Sequence, residues 1–358
     1  MMDGLAALGF SSFFASQVHA ERDAGLVPVR INEDLGVAWR AFLADGSERL
    51  VRAPGRTRRE GFTRGALPVV GDFVLVRPDH HGKGATVQRV LDRRTHLTRR
   101  AAGERIEEQL LAANIDVAFL AQSLNRDLNP RRLERYLLLA RDGGVDPVVL
   151  LTKVDLCEDP MAAIAAMTVV AGGAPVVACS ARMPDTLTAL APWLQPAATV
   201  ALLGSSGVGK STLLNALLGE ERYKTAEVRA EDDRGRHTTT TRNLVRLPNG
   251  AMVVDTPGMR ELALWDAGES LHTVFEDIAA LAISCRFRDC EHVSEPGCAV
   301  IAGARDGRLD PARLESWRKL QRERHHHEIE QDLAKKSAEE KKWRSVHKEL
   351  RDWDKKKK

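Results

Sequence analysis

The run Gly204-Ser205-Ser206-Gly207-Val208-Gly209-Lys210-Ser211 has the spacing G-x-x-x-x-G-K-S. Between a strand and a helix, such a run lets backbone N–H groups converge on phosphate oxygens at the positive helix end. Lys210 then reaches the β- and γ-phosphates, and the Ser211 hydroxyl ligates Mg²⁺. The flanks suit this: Thr199 to Leu203 has the pattern of a buried strand, and Ser211 to Leu218 that of an amphipathic helix with Thr212 in its first turn. The chemistry is that of nucleoside triphosphate binding and hydrolysis.

A second group sits at Asp255-Thr256-Pro257-Gly258, after the apolar run Met252 to Val254. An acid at the carboxyl end of a strand is where the magnesium shell needs one, reached through water. Gly258 lets a backbone N–H approach the γ-phosphate. Between the two groups lies the polar loop Arg234 to Thr241, which reads as a switch with Thr239 completing the Mg²⁺ shell. Hydrolysis also needs a group to orient the attacking water. Met259 follows Gly258 and cannot do so, which leaves His237 as the candidate catalytic residue.

Base selection has its own residues. Thr152-Lys153-Val154-Asp155 follows a buried strand and resembles the guanine motif Asn-Lys-x-Asp. Asp155 would accept from the ring N1–H and the exocyclic amine, while the Lys153 stem covers the ring. Ser180-Ala181, after the next strand pattern, resembles the second base-contacting loop. Ordinary GTPases run phosphate loop, switch, Asp-x-x-Gly, base motif, Ser-Ala. Here the base motif and Ser-Ala come first, so the order is a circular permutation, which a compact domain with adjacent termini tolerates.

A third constellation is Cys285, Cys290, His292 and Cys298, with spacing C-x4-C-x-H-x5-C. Three thiolates and an imidazole are a preferred tetrahedral zinc set, and a closed set of four points to a structural metal. Arg286 and Arg288 inside it suit phosphate contacts. The odd count of five cysteines in a chain of 358 residues argues against a disulfide framework.

The elements that position these groups follow from the pattern along the chain. Residues 1–29 read as a helix and linker. Residues 30–97 carry short strand patterns (Gly36 to Phe42, Arg49 to Ala53, Val69 to Val76, Ala85 to Leu91) separated by turn residues. Such a region suits a small barrel, OB-like or SH3-like. Residues 98–270 alternate strands and helices, with Asn129-Pro130 capping a helix that ends at Gly143-Gly144. This alternation predicts a parallel sheet with helices on both faces. Residues 271–320 hold the zinc module, and 321–358 are a charged helical or disordered tail. The fold class is thus multidomain α/β: an OB-like barrel, a circularly permuted P-loop GTPase domain and a zinc-binding helical module.

Composition agrees with a folded, intracellular chain. Hydrophobic residues are 43% and charged residues 29%, which excludes wholesale disorder. The N-terminus has no basic region of a signal peptide. The uncharged run between Asp159 and Arg182 contains Gly172-Gly173-Ala174-Pro175 and reads as a helix and a short strand, not a membrane span. The net charge of +3 hides a segregation. Residues 1–100 hold 16 basic against 11 acidic side chains, and 311–358 hold 16 against 10, around an acidic middle. Basic flanks are a footprint of polyanion binding and predict salt-sensitive association.

Taken together, these motifs resemble the RsgA (YjeQ) family, circularly permuted GTPases of small ribosomal subunit biogenesis. The resemblance covers about residues 5–320 and is carried by the rotated motif order, the loop Gly235 to Thr240, the Cys₃His spacing and its ending Glu295-Pro296-Gly297-Cys298. It implies a cytoplasmic enzyme that binds GTP and GDP, and a monomer is the default expectation. It also implies hydrolysis stimulated by the small (30S) subunit, and 16S rRNA contact by the barrel and zinc modules. One departure is Thr152 in place of the usual Asn, which keeps a hydroxyl and loses the amide. The competing reading, a non-ribosomal nucleic-acid-binding NTPase, does not account for the permuted order joined to the Cys₃His module.

Overall fold

The computed structural model describes residues 2–54, 67–79, 84–100, 108–124, 128–223, 242–255, 268–326 and 329. The chain divides into two compact units, one spanning most of residues 1–263 with 269–276, the other centred on 277–358.

In the first unit, five strands close a barrel: β1 (Val27–Asp34), β2 (Trp39–Phe42), β3 (Glu48–Arg52), β4 (Phe73–Pro78) and β5 (Gly84–Val90). Their order is β1-β2-β3-β5-β4, and β4 pairs back onto β1. The closure and the parallel β3–β5 pairing make the barrel OB-like. Alternate residues Val29, Ile31, Trp39, Ala41, Val51, Val74, Val76 and Val87 fill its interior. β1 starts at Val27, ahead of the expected barrel start, because Val27, Val29 and Ile31 alternate inward despite Pro28 and Arg30. β2 is shorter than Gly36 to Phe42: the Asp34 carboxylate accepts from the Gly36 N–H at 2.8 Å, and Gly36 turns the chain at φ 78°.

The residues ahead of β1 hold two short helices. Helices α1 (Met2–Ala6) and α2 (Ser12–Ala15) and the turn between them bury Leu5, Leu8 and Phe14. Phe14 packs on Phe73 of β4 with ring centroids 4.5 Å apart.

The nucleotide-binding half is built from β8 (Val117–Ser123), α3 (Pro130–Asp142), β9 (Asp146–Thr152), α4 (Pro160–Val170), β10 (Val176–Ala178), β11 (Thr199–Gly204), α5 (Lys210–Leu218), β12 (Asn243–Arg246) and β13 (Met252–Asp255). Two further strands, β6 (His96–Arg100) and β7 (Glu108–Ala113), form a separate pair. The sequence-based cap of α3 is in place: the Asn129 side chain accepts from the Arg132 N–H at 3.0 Å, and Gly143 closes the far end. The sheet order is β10-β9-β8-β11-β13-β12, and the first five strands are parallel. β12 is antiparallel to β13 and was not foreseen. Its signal is Asn249-Gly250 between alternating apolar residues, a hairpin cue, with Gly250 at φ 87°.

β12 also pairs with β1, so barrel and nucleotide half share one sheet of eleven strands. The junction encloses Arg30, which is 1% exposed. Its guanidinium donates to the carbonyls of Leu8 (2.5 Å), Asn114 (3.0 Å) and Gly71 (3.3 Å) and lies 5.0 Å from the Phe73 ring centre. Burial pushes its pKa down to about 10. One cation thus ties together the N-terminal segment, the barrel and the entry to β8.

Candidate functional site

Four of the nucleotide motifs sit at the carboxyl ends of parallel strands, which is where such sheets bind ligands. The phosphate loop leaves β11, the base motif leaves β9, Ser180 follows β10 and Asp255 ends β13. Register brings the ends level: Ser123 pairs with Thr152, Gly204 with Ala121, and Asp255 with Leu202.

The phosphate loop has its strain carried by glycine. Gly207 and Gly209 have φ of 79° and 104°, where an L side chain is strained. At Gly204 a Cβ would lie 2.8 Å from the Ala121 carbonyl oxygen, so strand packing admits no side chain. Val208 is buried and pins the loop inward. Lys210 opens α5, and its ammonium donates to the carbonyls of Gly204 (2.6 Å) and Ser205 (2.7 Å). Ser211 and Thr212 lie in the first turn of α5.

The base motif is tied to this loop. The Thr152 hydroxyl is buried, donates to the Val208 carbonyl at 2.6 Å and lies 3.3 Å from that of Gln122. Lys153, at φ 59°, donates from Nζ to the Gly207 carbonyl at 2.7 Å. Where the motif usually has an amide, this chain thus has a hydroxyl that holds the phosphate loop in place. Thr152→Val keeps the shape and leaves that carbonyl unpaired. It is expected to weaken GDP binding roughly tenfold, as read by titration.

Asp155 is exposed, and one carboxylate oxygen accepts from the Ser180 hydroxyl at 2.5 Å. Ser180 is itself fixed, its N–H donating to Thr186 and its hydroxyl accepting from the Arg182 N–H. The N–H of Val154 meets the Cys179 carbonyl at 3.4 Å, so the two base loops are laced together, with Ala181 following Ser180. Cys179 is a core residue whose thiol burial pushes up to about 11.

Sequence reasoning missed Asn215. From α5 its amide donates to the Tyr223 carbonyl (2.8 Å) and accepts from the N–H groups of Tyr223 (2.8 Å) and Arg222 (3.2 Å). This clamps the chain just ahead of residue 224. Burial, with the nearby Asp255 charge adding to it, raises the Tyr223 pKa. His237, Thr239 and Gly258 lie outside the described residues.

In the second unit, Cys285, Cys290, His292 and Cys298 converge, with ligand atoms all within 4.8 Å of one another. Two thiolates at a zinc–sulfur distance of about 2.3 Å in a tetrahedron stand about 3.8 Å apart. Cys285 Sγ and Cys298 Sγ are 3.8 Å apart, and His292 Nδ1 is 3.4 and 3.6 Å from Cys298 and Cys285. The set therefore fits a tetrahedral metal. Burial together with the neighbouring thiols pushes Cys290 up to about 12, so metal binding would displace protons.

Supporting groups orient the ligands. Cys298 caps the helix Ala299–Arg305, its sulfur accepting from the Ile301 N–H at 3.4 Å. Glu295 accepts from the N–H groups of Glu291, Val293 and Ser294, and backbone N–H groups hold its carboxyl at about 2. His292 takes a left-handed φ of 57°, held by Arg318 donating to its carbonyl and by the Trp317 ring 5.3 Å away. Arg318 and Trp317 belong to the helix over 311–326 and had no sequence cue. Arg286 and Arg288 are exposed.

A curated relative from Opitutus terrae, Small ribosomal subunit biogenesis GTPase RsgA, is 46% identical over 352 residues, 96% of each chain. The chain belongs to the RsgA family. The RsgA relative of Xylella fastidiosa is 54% identical over 267 residues, 74% of this chain and 76% of its own. The family model described as RsgA GTPase matches residues 90–265. A model described as ABC transporter matches residues 188–350, a span that includes the same phosphate loop. Among the described residues no helix is long and apolar enough to cross a membrane.

Solved structures agree on the RsgA architecture. YjeQ from Thermotoga maritima superposes with a TM-score of 0.61 at 26% identity, covering 84% of this chain and 98% of that one. YloQ, described as a circularly permuted GTPase, has a TM-score of 0.59 at 24% identity, covering 86% and 98%, and shares the fold.

Proposed function

We propose that this chain is a GTP-hydrolysing factor of small ribosomal subunit biogenesis. The observation that carries the reading is the bond between the base motif and the phosphate loop. Lys153 and Gly207 are 54 positions apart and in rotated order, yet 2.7 Å separates their polar atoms. Asp155 with Ser180 and Ala181 reads guanine. The backbone from Gly204 to Gly209 cradles the phosphates, with Lys210 and Thr212 at the helix end. Ser211 would ligate Mg²⁺, with Asp255 holding a water of its shell and Thr239 completing it. The ion supplies charge neutralisation at the β–γ bridge. Gly258 approaches the γ-phosphate, and His237 orients the attacking water.

Zinc held by Cys285, Cys290, His292 and Cys298 is structural, since the set of four leaves no open position. The modules are 1–29, 30–97, 98–270, 271–320 and 321–358, and in this reading the barrel and zinc modules contact 16S rRNA of the 30S subunit. Their exposed arginines suit phosphate contact. The protein acts as a cytoplasmic monomer. A non-ribosomal NTPase is not favoured, because the relatives carry ribosome-biogenesis names.

Pelleting with purified 30S subunits tests the partner. Association is expected with a non-hydrolysable GTP analogue, weaker with GDP, and diminished by salt. Equal, negligible pelleting in both nucleotide states would reject it.

A further inference from the structure

The hydroxyl that opens the base motif has a single hydrogen, and the structure shows where it goes. Thr152 ends β9, between β8 and β10. Its hydroxyl faces two acceptors, the Val208 carbonyl at 2.6 Å and the Gln122 carbonyl at 3.3 Å. The shorter contact takes the hydrogen to Val208, and the lone pairs that remain can only accept. Thr152 and Val208 are both buried. Turning the hydrogen elsewhere would therefore strand a carbonyl of the phosphate loop.

Guanine carries its polar atoms in a fixed order around the ring: exocyclic amine, N1–H, O6, N7. The first two donate and the last two accept. In the proposed site Asp155 meets the two donors, and the Ala181 N–H, bonded to no other group among the described residues, is free for O6. N7 follows O6 on the C8 side, which in the usual anti nucleotide faces the 5′-phosphates. Thr152 bridges the base motif to the phosphate loop on that side, and its one hydrogen is spent there. Ser180 is spent too, its hydroxyl on Asp155 and its N–H on Thr186. Lys153 covers the ring face in the reading above, whereas the N7 lone pair lies in the ring plane. We propose that this site does not read N7, so that it takes 7-deazaguanine nucleotides as well as it takes GDP and GTP. The inference rests on the proposed reading of guanine by Asp155. An amide at position 152 has two hydrogens and could hold the Val208 carbonyl and N7 together; the hydroxyl keeps the tether and drops the base contact.

The test is calorimetric titration of the full chain with three nucleotides: GDP, its 7-deaza analogue in which C–H replaces N7, and inosine diphosphate, which lacks the exocyclic amine. The parent chain is expected to bind GDP and the deaza analogue within about twofold of each other, and inosine diphosphate roughly tenfold more weakly. Thr152→Val is expected to weaken GDP and the deaza analogue by the same factor, since it acts through the phosphate loop. Thr152→Asn is expected to prefer GDP over the deaza analogue by about fivefold. If the parent chain itself shows a preference of about fivefold or more for GDP over the deaza analogue, N7 is read and the inference is overturned. It is also overturned if Thr152→Val weakens GDP alone, because the hydroxyl would then serve N7. A Thr152→Asn chain that binds both equally would show that position 152 does not face N7, which overturns it as well. If inosine diphosphate binds the parent chain as tightly as GDP, the guanine reading of Asp155 fails first, and the inference falls with it.

Discussion

Stripping the proposed zinc from the full chain is expected to unfold the module around Cys285 to Leu320. The described apolar core of that unit is small: Ile278, Val300, Leu309, Leu314 and Leu320 are its buried aliphatic side chains. So few cannot offset the chain entropy of the segment, and modules of this size need a metal or a disulfide. Its cysteines are free thiols, so the metal is what remains. A structural zinc contributes about 10–16 kcal/mol of apparent binding energy at neutral pH, all of it coupled to folding. His292 sharpens the expectation, because its left-handed backbone is retained only while ring and carbonyl are both held. Chelation, or Cys298→Ser, should remove helical circular dichroism and open 286–326 to proteases, while GDP binding by the first unit persists. Unchanged protease resistance after proven metal loss would contradict this.

Lys210→Ala is expected to lower the rate of GTP hydrolysis roughly 10²–10³-fold, the usual cost of deleting a preorganised charge stabiliser. The ammonium is already aimed, bonded at 2.6 and 2.7 Å to the carbonyls of Gly204 and Ser205. It needs little reorganisation to meet charge developing on the γ-phosphate. GDP binding should weaken far less, because the loop backbone, Asp155 and the Thr152 tether remain. The discriminating observation is this split between rate and affinity, measured by single-turnover hydrolysis and GDP titration. A fall of less than tenfold in the rate would remove Lys210 from the charge-stabilising role.

Much of the site was legible because its chemistry is local in sequence. The phosphate loop and the Cys₃His spacing each fit within a short run, and Asn129-Pro130 placed the start of α3 to the residue. The rotated order was also readable, since the base motif, Ser180, the phosphate loop and Asp255 each lie at the end of a strand pattern. What escaped is non-local. The inward charge at Arg30 and the proline at position 28 masked the alternation that starts β1, and the carbonyls that satisfy Arg30 come from three distant segments. The packing of Phe10 and Phe14 could not be read because Phe73, their partner, is far along the chain. Trp317 and Arg318 support the Cys₃His cluster from the helix over 311–326, where Leu314, Trp317 and Leu320 recur at helical spacing but nothing local ties them to the cluster. The pairing of β12 with β1, which joins barrel to nucleotide site, has no sequence signature.

A nucleotide site with rotated motifs is proposed to hydrolyse GTP in response to the small ribosomal subunit. The most direct measurement is the hydrolysis rate of the purified chain, alone and with saturating 30S subunits, for GTP and ATP in parallel. Slow turnover of GTP alone is expected, with clear acceleration by the subunits, no comparable turnover of ATP, and no acceleration in Lys210→Ala. GTP hydrolysis at the same rate with and without subunits would contradict it.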